Sequence, residues 1–381
     1  MPIKIAVLKE TQPGEQRIAM VPSVVEQLEK LGAEFVIQSG AGDAVKLPDA
    51  SFPTAKFEAD VSKVVGDADI VLCVQAPRMA VVQKMKPSAI LISFIYENKQ
   101  PKLVAALRKK GIICFAMERV PRISRAQAMD ALTSQATLSG YYGALLGATH
   151  LARIFPRMTT AVGTLHPAKV LVMGLGVAGL QAIATAHRLG AVVEGYDVRP
   201  ETKGEAASLG AKFVDTGVDA TGEGGYAREL TKDEKDKVAQ VVTKHIQQAD
   251  VVITTANVPG RPAPKLISKA QVDGMKAGSV IVDLAADGGG NCAYTEAGKT
   301  TQVGQVTIVA PINVPSLLGE HASELYAKNI LNLLKLLIVD GKLAPDWSDE
   351  VIAKTALTGA PEVTPEQAKP ALEAVNSGAK Q

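Results

Sequence analysis

The feature that most constrains this chain is an apolar strand that runs directly into a glycine-rich turn and then a helix. In the stretch Lys169-Val-Leu-Val-Met-Gly-Leu-Gly-Val-Ala-Gly-Leu180, the glycines have the spacing Gly174-x-Gly176-x-x-Gly179. The first glycine suits a tight turn, the second has no Cβ to obstruct a pyrophosphate, and the third lets helix and strand pack closely. The helix N-terminus adds free N–H groups and a partial positive charge. The pattern predicts a nucleotide-binding turn, although a bare glycine pattern is weak on its own.

An acidic residue follows at the distance that such a site requires. The helix predicted from Leu180 to Leu189 ends at Gly190, which suits left-handed backbone, and a second apolar strand then runs to Asp197. A carboxylate there can accept hydrogen bonds from both hydroxyls of the adenosine ribose. It would repel a 2′-phosphate, which favours NAD(H) over NADP(H). Arg199 weakens this preference, because arginine is the usual partner of a 2′-phosphate.

Size and composition are those of an ordinary globular protein with about two domains. The chain has 381 residues, of which 47% are hydrophobic and 21% charged, and its net charge of +2 gives no argument for binding nucleic acid. Cys73, Cys114 and Cys292 are widely spaced, so we expect reduced core cysteines, no disulfide framework and no metal site. The N-terminus resembles a strand rather than a signal peptide, and no apolar run is long enough to span a bilayer. We therefore expect a soluble cytoplasmic protein.

Strands alternate with helices along most of the chain, which is typical of parallel α/β sheets. The first series of strands carries no glycine fingerprint, whereas the second series, from Lys169 to Ala310, begins with it. Long helical patterns at Thr133–Phe155 and Gly319–Val339 connect the two series. We predict two Rossmann-like parallel-sheet domains bridged by these helices, with a cleft between them. The predicted bounds are 1–137 with 318–381 for a discontinuous domain, and 138–317 for the nucleotide-binding domain.

Three segments depart from this alternation. Pro156 is expected to end the first long helix, and residues 156–167 are predicted to form a hairpin that reaches a second subunit. The segment Thr216–Lys237 is rich in Gly, Asp, Glu and Lys, and it fits either a mobile loop or a plain surface excursion. From Ala360 onward the composition predicts a frayed tail.

No residue stands out as a general acid or base. The histidines are scattered on helical faces or in loops, and none follows a predicted strand: His150, His166, His187, His245 and His321. A dehydrogenase that takes a hydride from an alcohol or amine carbon needs a proton acceptor, which is most often histidine. The distribution therefore argues against that kind of reaction.

The segment from Val120 to Thr133 is the second candidate for chemistry. It places Arg122, Gln127 and Asp130 in a loop between the last strand of the first domain and the long helix. Such a joint faces the cleft, where ligands bind in two-domain α/β proteins. A capped helix start with a local Arg–Asp pair would need the same residues, so both interpretations stay open at this point.

Several motifs together resemble one family. Pro121-Arg-Ile-Ser-Arg-Ala-Gln-Ala-Met-Asp130, the fingerprint with its continuation Gln-Ala-Ile-Ala-Thr-Ala, and Gly224-Gly-Tyr-Ala227 are similar to the NAD(H)-binding component of proton-translocating nicotinamide nucleotide transhydrogenases. The resemblance extends over nearly all of residues 1–340 through three further motifs: Ile253-Thr-Thr-Ala256, Val282-Asp-Leu-Ala285 and Asn313-Val-Pro-Ser316. The motif from Pro121 to Asp130 is far more specific than the glycine fingerprint.

The resemblance implies an alanine-dehydrogenase-like fold and an NAD(P)+ transhydrogenase of the Si-specific/Re-specific, proton-pumping type. A hydride would pass directly from NADH on this chain to NADP+ on a separate NADP(H)-binding component, coupled to proton passage through a membrane-spanning component. The sequence predicts neither a membrane span nor a second nucleotide fingerprint, so this chain would act only with those partner subunits. We expect a homodimer that is peripheral on the inner face of the cytoplasmic membrane through its partners.

The resemblance also implies roles for individual residues. Arg122 and Asp130 would form a pair that shapes the loop, and Gln127 would hydrogen-bond across to the nicotinamide or its partner nucleotide. Thr133 would contact the nicotinamide end, and Tyr226 would lie on a mobile loop that closes over the cofactor. Together with the fingerprint, the candidate nucleotide contacts are Arg122, Ser124, Gln127, Asp130, Thr133, Gly174, Gly176, Val177, Gly179, Asp197, Val198, Arg199, Gly225, Tyr226 and Asn257.

The nearest competing family is alanine dehydrogenase, which shares the Lys9-Glu10 and Glu15-Gln-Arg17 pattern at the start of the chain. Its substrate lysine would fall in the segment around Cys73, and its catalytic histidine at Tyr96, and this chain has neither a lysine nor a histidine there. Pyruvate could then not be held and protonated in the same way. A third possibility, from another class, is a non-catalytic protein that responds to NAD(H).

Overall fold

The computed structural model describes residues 2–218, 231–257 and 262–361. Within them the chain forms two compact units. The first unit contains residues 2–12, 17–131 and 323–361, and the second contains Pro13–Gln16 and the described part of Leu132–Ala322. The chain therefore leaves the first unit twice, once for a four-residue excursion and once for the whole of the second unit.

Strands and helices alternate through both units. In chain order the strands are β1 (Ile3–Val7), β2 (Ala33–Gln38), β3 (Lys56–Glu58), β4 (Ile70–Leu72), β5 (Ile90–Ser93), β6 (Ile113–Ala116), β7 (Met158–Thr160), β8 (Gly163–Leu165), β9 (Lys169–Met173), β10 (Val192–Tyr196), β11 (Lys212–Phe213), β12 (Val251–Thr254), β13 (Val280–Asp283), β14 (Thr300–Val303), β15 (Val306–Val309), β16 (Ile338–Val339), β17 (Lys342–Leu343) and β18 (Ala356–Thr358). The α-helices are α1 (Pro22–Glu29), α2 (Val61–Val65), α3 (Met79–Lys84), α4 (Pro101–Lys110), α5 (Ala131–His150), α6 (Val177–Arg188), α7 (Thr202–Ser208), α8 (Lys232–Gln248), α9 (Lys269–Asp273), α10 (Gly319–Leu337) and α11 (Glu350–Thr355).

The sheet of the first unit has the strand order β18-β6-β5-β4-β1-β2-β3. The pairs from β6 to β3 are parallel, and β1 pairs in register with β2 from Ile3–Ala33 to Val7–Ile37. Only β18 runs antiparallel, against β6 at one edge. Pro22 at the start of α1 suits the first helical turn, where its missing N–H costs nothing, and the buried face of that helix consists of Val24, Val25 and Leu28.

The sheet of the second unit has the order β11-β10-β9-β12-β13-β15-β14 and is parallel except for β14. Strands β12 and β13 are buried at every position, as expected when helices cover both faces of a parallel sheet. The chain order reverses direction between β9 and β12. In open α/β sheets such a reversal opens a crevice at the carboxyl ends of the strands, where ligands bind.

The predicted fold class is confirmed, since both units contain sheets that are predominantly parallel. Several predicted bounds agree closely with the structure: α4 spans Pro101–Lys110 as expected, and α10 spans Gly319–Leu337 against an expected end at Val339. The boundaries between the two units at 131/132 and 322/323 fall within the long helices α5 and α10.

The predicted end of the first long helix is wrong. Helix α5 ends at His150, well before Phe155 and Pro156. The reason is tertiary: the guanidinium of Arg153 lies 2.9 Å from the buried carboxylate of Asp250, and Phe155 is buried in the core. These contacts pull the chain out of the helix before the proline is reached.

The expectation of a loop from Thr216 to Lys237 is wrong at its end, because helix α8 begins at Lys232. The Thr231 hydroxyl accepts from the N–H of Glu234, and the Glu234 carboxylate accepts from the N–H of Thr231, which makes a complete capping box. The Thr-x-x-Glu pattern was therefore a usable signal in the sequence. Residues 219–230 and the predicted tail from 362 to 381 lie outside the described residues.

Helix α5 approaches the second sheet closely through its glycines. A Cβ on Gly140 would lie 2.0 Å from the carbonyl oxygen of Ala178, and one on Gly147 would lie 2.8 Å from Val251 Cγ1. No side chain fits at either position without displacing its neighbours. The short separation fixes α5 against α6 and β12.

The predicted hairpin within residues 156–167 is confirmed as β7 and β8, which pair antiparallel from Met158–Leu165 to Thr160–Gly163. Its side chains are exposed, including Met158, Leu165 and Val162, the last at 98%. Within the described part of the chain, no helix has both the length and the apolar character needed to cross a bilayer.

Candidate functional site

The glycine turn joins the two halves of the second sheet. Gly174 follows β9 with a φ of +94°, a left-handed conformation that favours glycine. Its N–H donates to the carbonyl oxygen of Tyr196 at 2.9 Å, and its own carbonyl oxygen accepts from the Thr255 hydroxyl at 2.7 Å. Because Tyr196 ends β10 and Thr255 follows β12, these two bonds place the turn at the crevice where the chain order reverses.

The other two glycines have opposite surroundings. A Cβ on Gly179 would lie 1.8 Å from the carbonyl oxygen of Gly174, so the close approach of α6 to β9 requires glycine there. A Cβ on Gly176 would meet no atom within 4 Å. Gly176 is the N-cap of α6, which no side chain caps. The turn therefore leaves open space in front of helix N–H groups, and this arrangement fits a pyrophosphate.

Asp197, directly after β10, is occupied by donors from the protein. Its Oδ2 accepts from the N–H of Leu175 at 2.7 Å, and its Oδ1 accepts from the N–H of Arg199 at 2.9 Å. The Arg199 guanidinium adds bonds of 3.1 and 3.2 Å to the two oxygens. Four donors fill the roughly four lone-pair positions of a carboxylate. The sequence predicted that Asp197 would be available to two ribose hydroxyls, whereas the structure has its acceptor positions already in use.

Arg199 is the one of these donors that can leave. Its side chain is 40% exposed, whereas that of Asp197 is 8% exposed. The hydrogen bond to Asp197 raises the pKa of Arg199, so the pair stays charged. A cavity of about 110 Å³ opens beside it, lined in part by Tyr196, Val198 and Lys203. Val198 is half exposed at the rim, so both predicted neighbours of Asp197 lie at the same edge of the sheet.

The loop after β12 is positioned by residues that were not predicted from the sequence. Asn291 is completely buried; its Oδ1 accepts from the N–H of Ala256 at 3.0 Å, and its Nδ2 donates to the carbonyl oxygens of Ala256 and Pro264 at 2.8 Å each. These bonds hold the backbone next to Asn257, which is exposed. Asn291 is in turn held by the buried carboxylate of Asp283, which accepts its N–H at 2.7 Å.

The candidates of the first unit lie together on one turn of 3-10 helix, Ser124–Met129. Arg122, Ser124 and Gln127 are exposed, and Asp130 is half-buried just after the turn. Among the described residues, Arg122 forms no ion pair with Asp130, which has other partners, so the implied pair is not seen. The ion pair of this loop is formed instead by Arg125, with Asp349.

Three further candidates remain to be placed. Thr133 is exposed in the first turn of α5, where its carbonyl oxygen accepts from the hydroxyl of Thr137 at 3.0 Å. Gly225 and Tyr226 lie outside the described residues.

The histidines are placed as the sequence predicted. His150, His166, His187 and His321 are exposed, and none of the five follows a strand of either seven-stranded sheet. His245 is half-buried on α8, with its Nδ1 2.7 Å from Glu194 Oε2. No histidine is therefore positioned at the carboxyl edge of a sheet.

The cysteines are buried, as expected for core residues. Burial raises the pKa of the Cys73 thiol well above its ordinary value, and the Tyr326 hydroxyl donates to the carbonyl oxygen of Cys73 at 3.0 Å. Tyr96 has a positive φ of +52°, and its N–H donates to the carboxylate of Glu118 at 2.5 Å. Cys73 therefore contributes to packing and not to a ligand site.

Two family domains match almost the whole chain. Residues 6–139 match the domain described as alanine dehydrogenase/PNT, N-terminal domain, and residues 143–366 match alanine dehydrogenase/PNT, C-terminal domain. The chain belongs to the alanine dehydrogenase/PNT family. This membership confirms the resemblance found in the sequence.

Individual members of the family show the same relationship. The chain is 44% identical over 369 residues to the first of the separate parts of the NAD(P) transhydrogenase subunit alpha of Rhodospirillum rubrum, covering 93% of this chain and 96% of that protein. The crystal structure of the transhydrogenase from Sinorhizobium meliloti is 41% identical, with a TM-score of 0.85 over 94% of this chain and 99% of that one. The alanine dehydrogenase of Mycobacterium tuberculosis is more distant, at 30% identity over 76% of this chain and 74% of that enzyme.

The two glycines with opposite surroundings make a matched pair for mutagenesis. Gly179→Ala should lower the free energy of unfolding by about 1–3 kcal/mol, because the new methyl group meets the Gly174 carbonyl oxygen. Gly176→Ala should change it by less than about 0.5 kcal/mol, because the added Cβ meets no atom. Urea unfolding of both variants beside the unchanged protein measures the difference. Equal destabilisation by the two substitutions would contradict the described turn.

Proposed function

We propose that this chain is the NAD(H)-binding component of a proton-translocating NAD(P)+ transhydrogenase of the Si-specific/Re-specific type. The observation that carries the proposal is the glycine turn in front of the uncapped α6, with Asp197 beside it. The 96% coverage of the Rhodospirillum rubrum relative, whose name makes it a portion of subunit alpha of an NAD(P) transhydrogenase, supports the same assignment. We assign the nucleotide to the predicted domain 138–317.

The turn would hold the pyrophosphate of NAD(H) over Gly176, against the N–H groups that begin with Val177. Asp197 would bind the adenosine ribose. Because its acceptor positions are filled, the hydroxyls have to replace the guanidinium of Arg199, which is exposed enough to move away. The N–H of Leu175 would keep Asp197 in place throughout the exchange.

When bound, the dihydronicotinamide supplies a hydride that passes directly to NADP+ on a partner subunit. A transfer between two nicotinamide rings releases no proton to the protein, so the chain needs no general base at the carboxyl edge of its sheets. The contribution of the protein is position: Gln127 and Thr133 are exposed and available for hydrogen bonds to the nicotinamide end, and Asn257 follows β12 on a loop that Asn291 holds. Arg122, Ser124 and Asp130 would shape the loop around Gln127.

Partner subunits would supply NADP(H) and the membrane-spanning path for protons. We place the chain at the inner face of the cytoplasmic membrane through these partners, as a homodimer. The exposed apolar residues of the β7–β8 hairpin support a contact with a second copy, since a two-stranded hairpin is marginally stable on its own.

Alanine dehydrogenase activity is the second candidate, favoured by the 30% identity to the Mycobacterium tuberculosis enzyme. The burial of Cys73 and the absence of histidine at Tyr96 argue against it. A non-catalytic response to NAD(H) would need only the turn.

The proposal predicts hydride transfer in one assay and none in another. In the first, the chain is mixed with an NADP(H)-binding transhydrogenase component carrying NADPH, and the acetylpyridine analogue of NAD+ serves as acceptor. Its reduced form absorbs at a longer wavelength than NADPH, so formation is followed directly. In the second, NADH is mixed with the chain, pyruvate and ammonium. Turnover in the second assay alone would establish the amino-acid dehydrogenase, and tight NADH binding without turnover in either would establish the non-catalytic alternative.

A conservative change in the loop separates binding from transfer. Gln127→Asn withdraws the side-chain amide by one methylene, so hydride transfer should slow by about tenfold or more, while NADH affinity stays within about twofold. Stopped-flow transfer rates and calorimetric titration with NADH give the two quantities. Transfer at the unchanged rate would remove Gln127 from the proposed machinery.

The dimer is tested by sedimentation. The chain should sediment at twice its mass of 39.9 kDa across micromolar concentrations. Val162→Asp at the tip of the hairpin should shift the protein toward monomer, because it places a charge in an apolar contact. Sedimentation of the unchanged chain at monomer mass over this range would reject the dimer.

A further inference from the structure

The loop of residues 122–130 is tied to a distant part of the chain by an ion pair. Arg125 donates through Nη1 and Nη2 to the two carboxylate oxygens of Asp349, both at 2.7 Å, across 224 residues of sequence. Two parallel bonds of this length between a guanidinium and a carboxylate fix orientation as well as distance. The bond joins the loop directly to the residue that caps α11.

Asp349 is itself held firmly. Its Oδ1 also accepts from the N–H of Val351 at 2.7 Å, which makes it the N-cap of α11, and its side chain is only 17% exposed. Helix α11 is followed by β18, the strand that pairs with β6 at the edge of the first sheet. The hydrogen bond from Arg125 lowers the pKa of Asp349, which keeps the carboxylate charged at neutral pH. Arg125 is therefore anchored to the sheet rather than to a flexible chain end.

A second anchor lies on the other side of Gln127. The Nδ2 of Asn329, on α10, donates to the carbonyl oxygen of Ala128 at 2.9 Å, and the Nδ2 of Asn332 reaches the same oxygen at 3.4 Å. Asn329 is 6% exposed, so its position is fixed by packing. Gln127 lies between the two anchors, two residues after Arg125 and one before Ala128.

The loop depends on these anchors because it has few backbone bonds of its own. Within it, the N–H of Ala126 donates to the carbonyl oxygen of Ile123, and the N–H of Asp130 donates to that of Gln127. A short 3-10 turn with such bonds does not hold one geometry alone. Removing an anchor should therefore move Gln127 more than it affects the stability of the whole unit.

We infer that the Arg125–Asp349 ion pair positions Gln127 for hydride transfer. The inference rests on the proposed function, and it makes Arg125 and Asp349 positioning residues that touch no nucleotide. The side chain of Arg125 is 53% exposed, and an exposed pair of this kind contributes little to global stability. A role in positioning thus predicts an effect on transfer without one on folding, whereas a purely structural clamp predicts the reverse.

The test substitution is Asp349→Asn, since asparagine is an equally good N-cap and leaves α11 intact while the charge is lost. Hydride transfer from the NADPH-loaded partner component to the acetylpyridine analogue should slow about three- to fivefold, the scale set by loss of one exposed ion pair. NADH affinity should stay within about twofold of that of the unchanged chain, and the urea midpoint should not move. Arg125→Gln should give the same loss, and Arg125→Lys, which keeps the charge, should recover part of the rate.

The chain offers a matched control and a local reporter. Glu97→Gln removes the partner of Arg119, another exposed arginine–carboxylate pair of the first unit, at 3.0 Å, and it should leave the transfer rate unchanged. Trp347 is the single tryptophan, lies two residues before Asp349 and stacks on Phe115 with ring centroids 6.1 Å apart. Unchanged Trp347 emission in Asp349→Asn verifies that α11 has kept its place.

The outcomes separate the two proposals. If the unchanged chain transfers hydride and Asp349→Asn does so equally fast, the positioning role is rejected and the proposed function stands. If transfer, NADH affinity and the urea midpoint of Asp349→Asn fall together, the pair is a structural clamp and the positioning role is again rejected. If the unchanged chain transfers no hydride with its partner component, the proposed function fails and the inference fails with it.

Discussion

The contact between α6 and β9 is the constraint on which the second unit depends. The helix begins so close to the strand that a single methyl group on Gly179 would lie 1.8 Å from the Gly174 carbonyl oxygen. That same oxygen accepts from Thr255, which ties β9 to β12 at the point where the chain order reverses. Close packing of backbone against backbone thus produces the crevice, the open space over Gly176 and the direction of the helix N-terminus together.

Carboxylates at the carboxyl edge of this sheet are used mainly to organise backbone. Asp283 is completely buried and accepts from the N–H groups of Ala285, Asn291 and Cys292, and Asp197 holds Leu175 and Arg199. Charge-assisted bonds of this kind are strong in a low-dielectric surrounding, so they fix loops that carry few bonds of their own. The edge is therefore rigid before any ligand arrives, except at Arg199, whose side chain reaches solvent.

Local patterns in the sequence predicted most of the fold and the centre of the candidate site. The glycine spacing, the apolar strands and Asp197 are all read within about thirty residues, and their physical causes are local. What escaped prediction depends on distant partners: α5 stops early because Arg153 meets Asp250, and the 122–130 loop is set by Asp349 rather than by its own Asp130. No periodicity encodes which arginine in a loop finds a carboxylate 224 residues away. The capping box at Thr231 is different, because its signal was present and was not used.

The central claim is that hydride passes directly between two nicotinamides, and an isotope measurement tests it most directly. NADH carrying two deuterium atoms at C4 is mixed with this chain and an NADP+-loaded partner component, and the NADPH formed is analysed by mass spectrometry. The account predicts that every NADPH molecule gains one deuterium and that none reaches water. Unlabelled NADPH with deuterium in the solvent would show that an exchanging group of the protein carries the hydrogen. Deuterium recovered in alanine when pyruvate and ammonium are added would contradict the account and make the chain an amino-acid dehydrogenase.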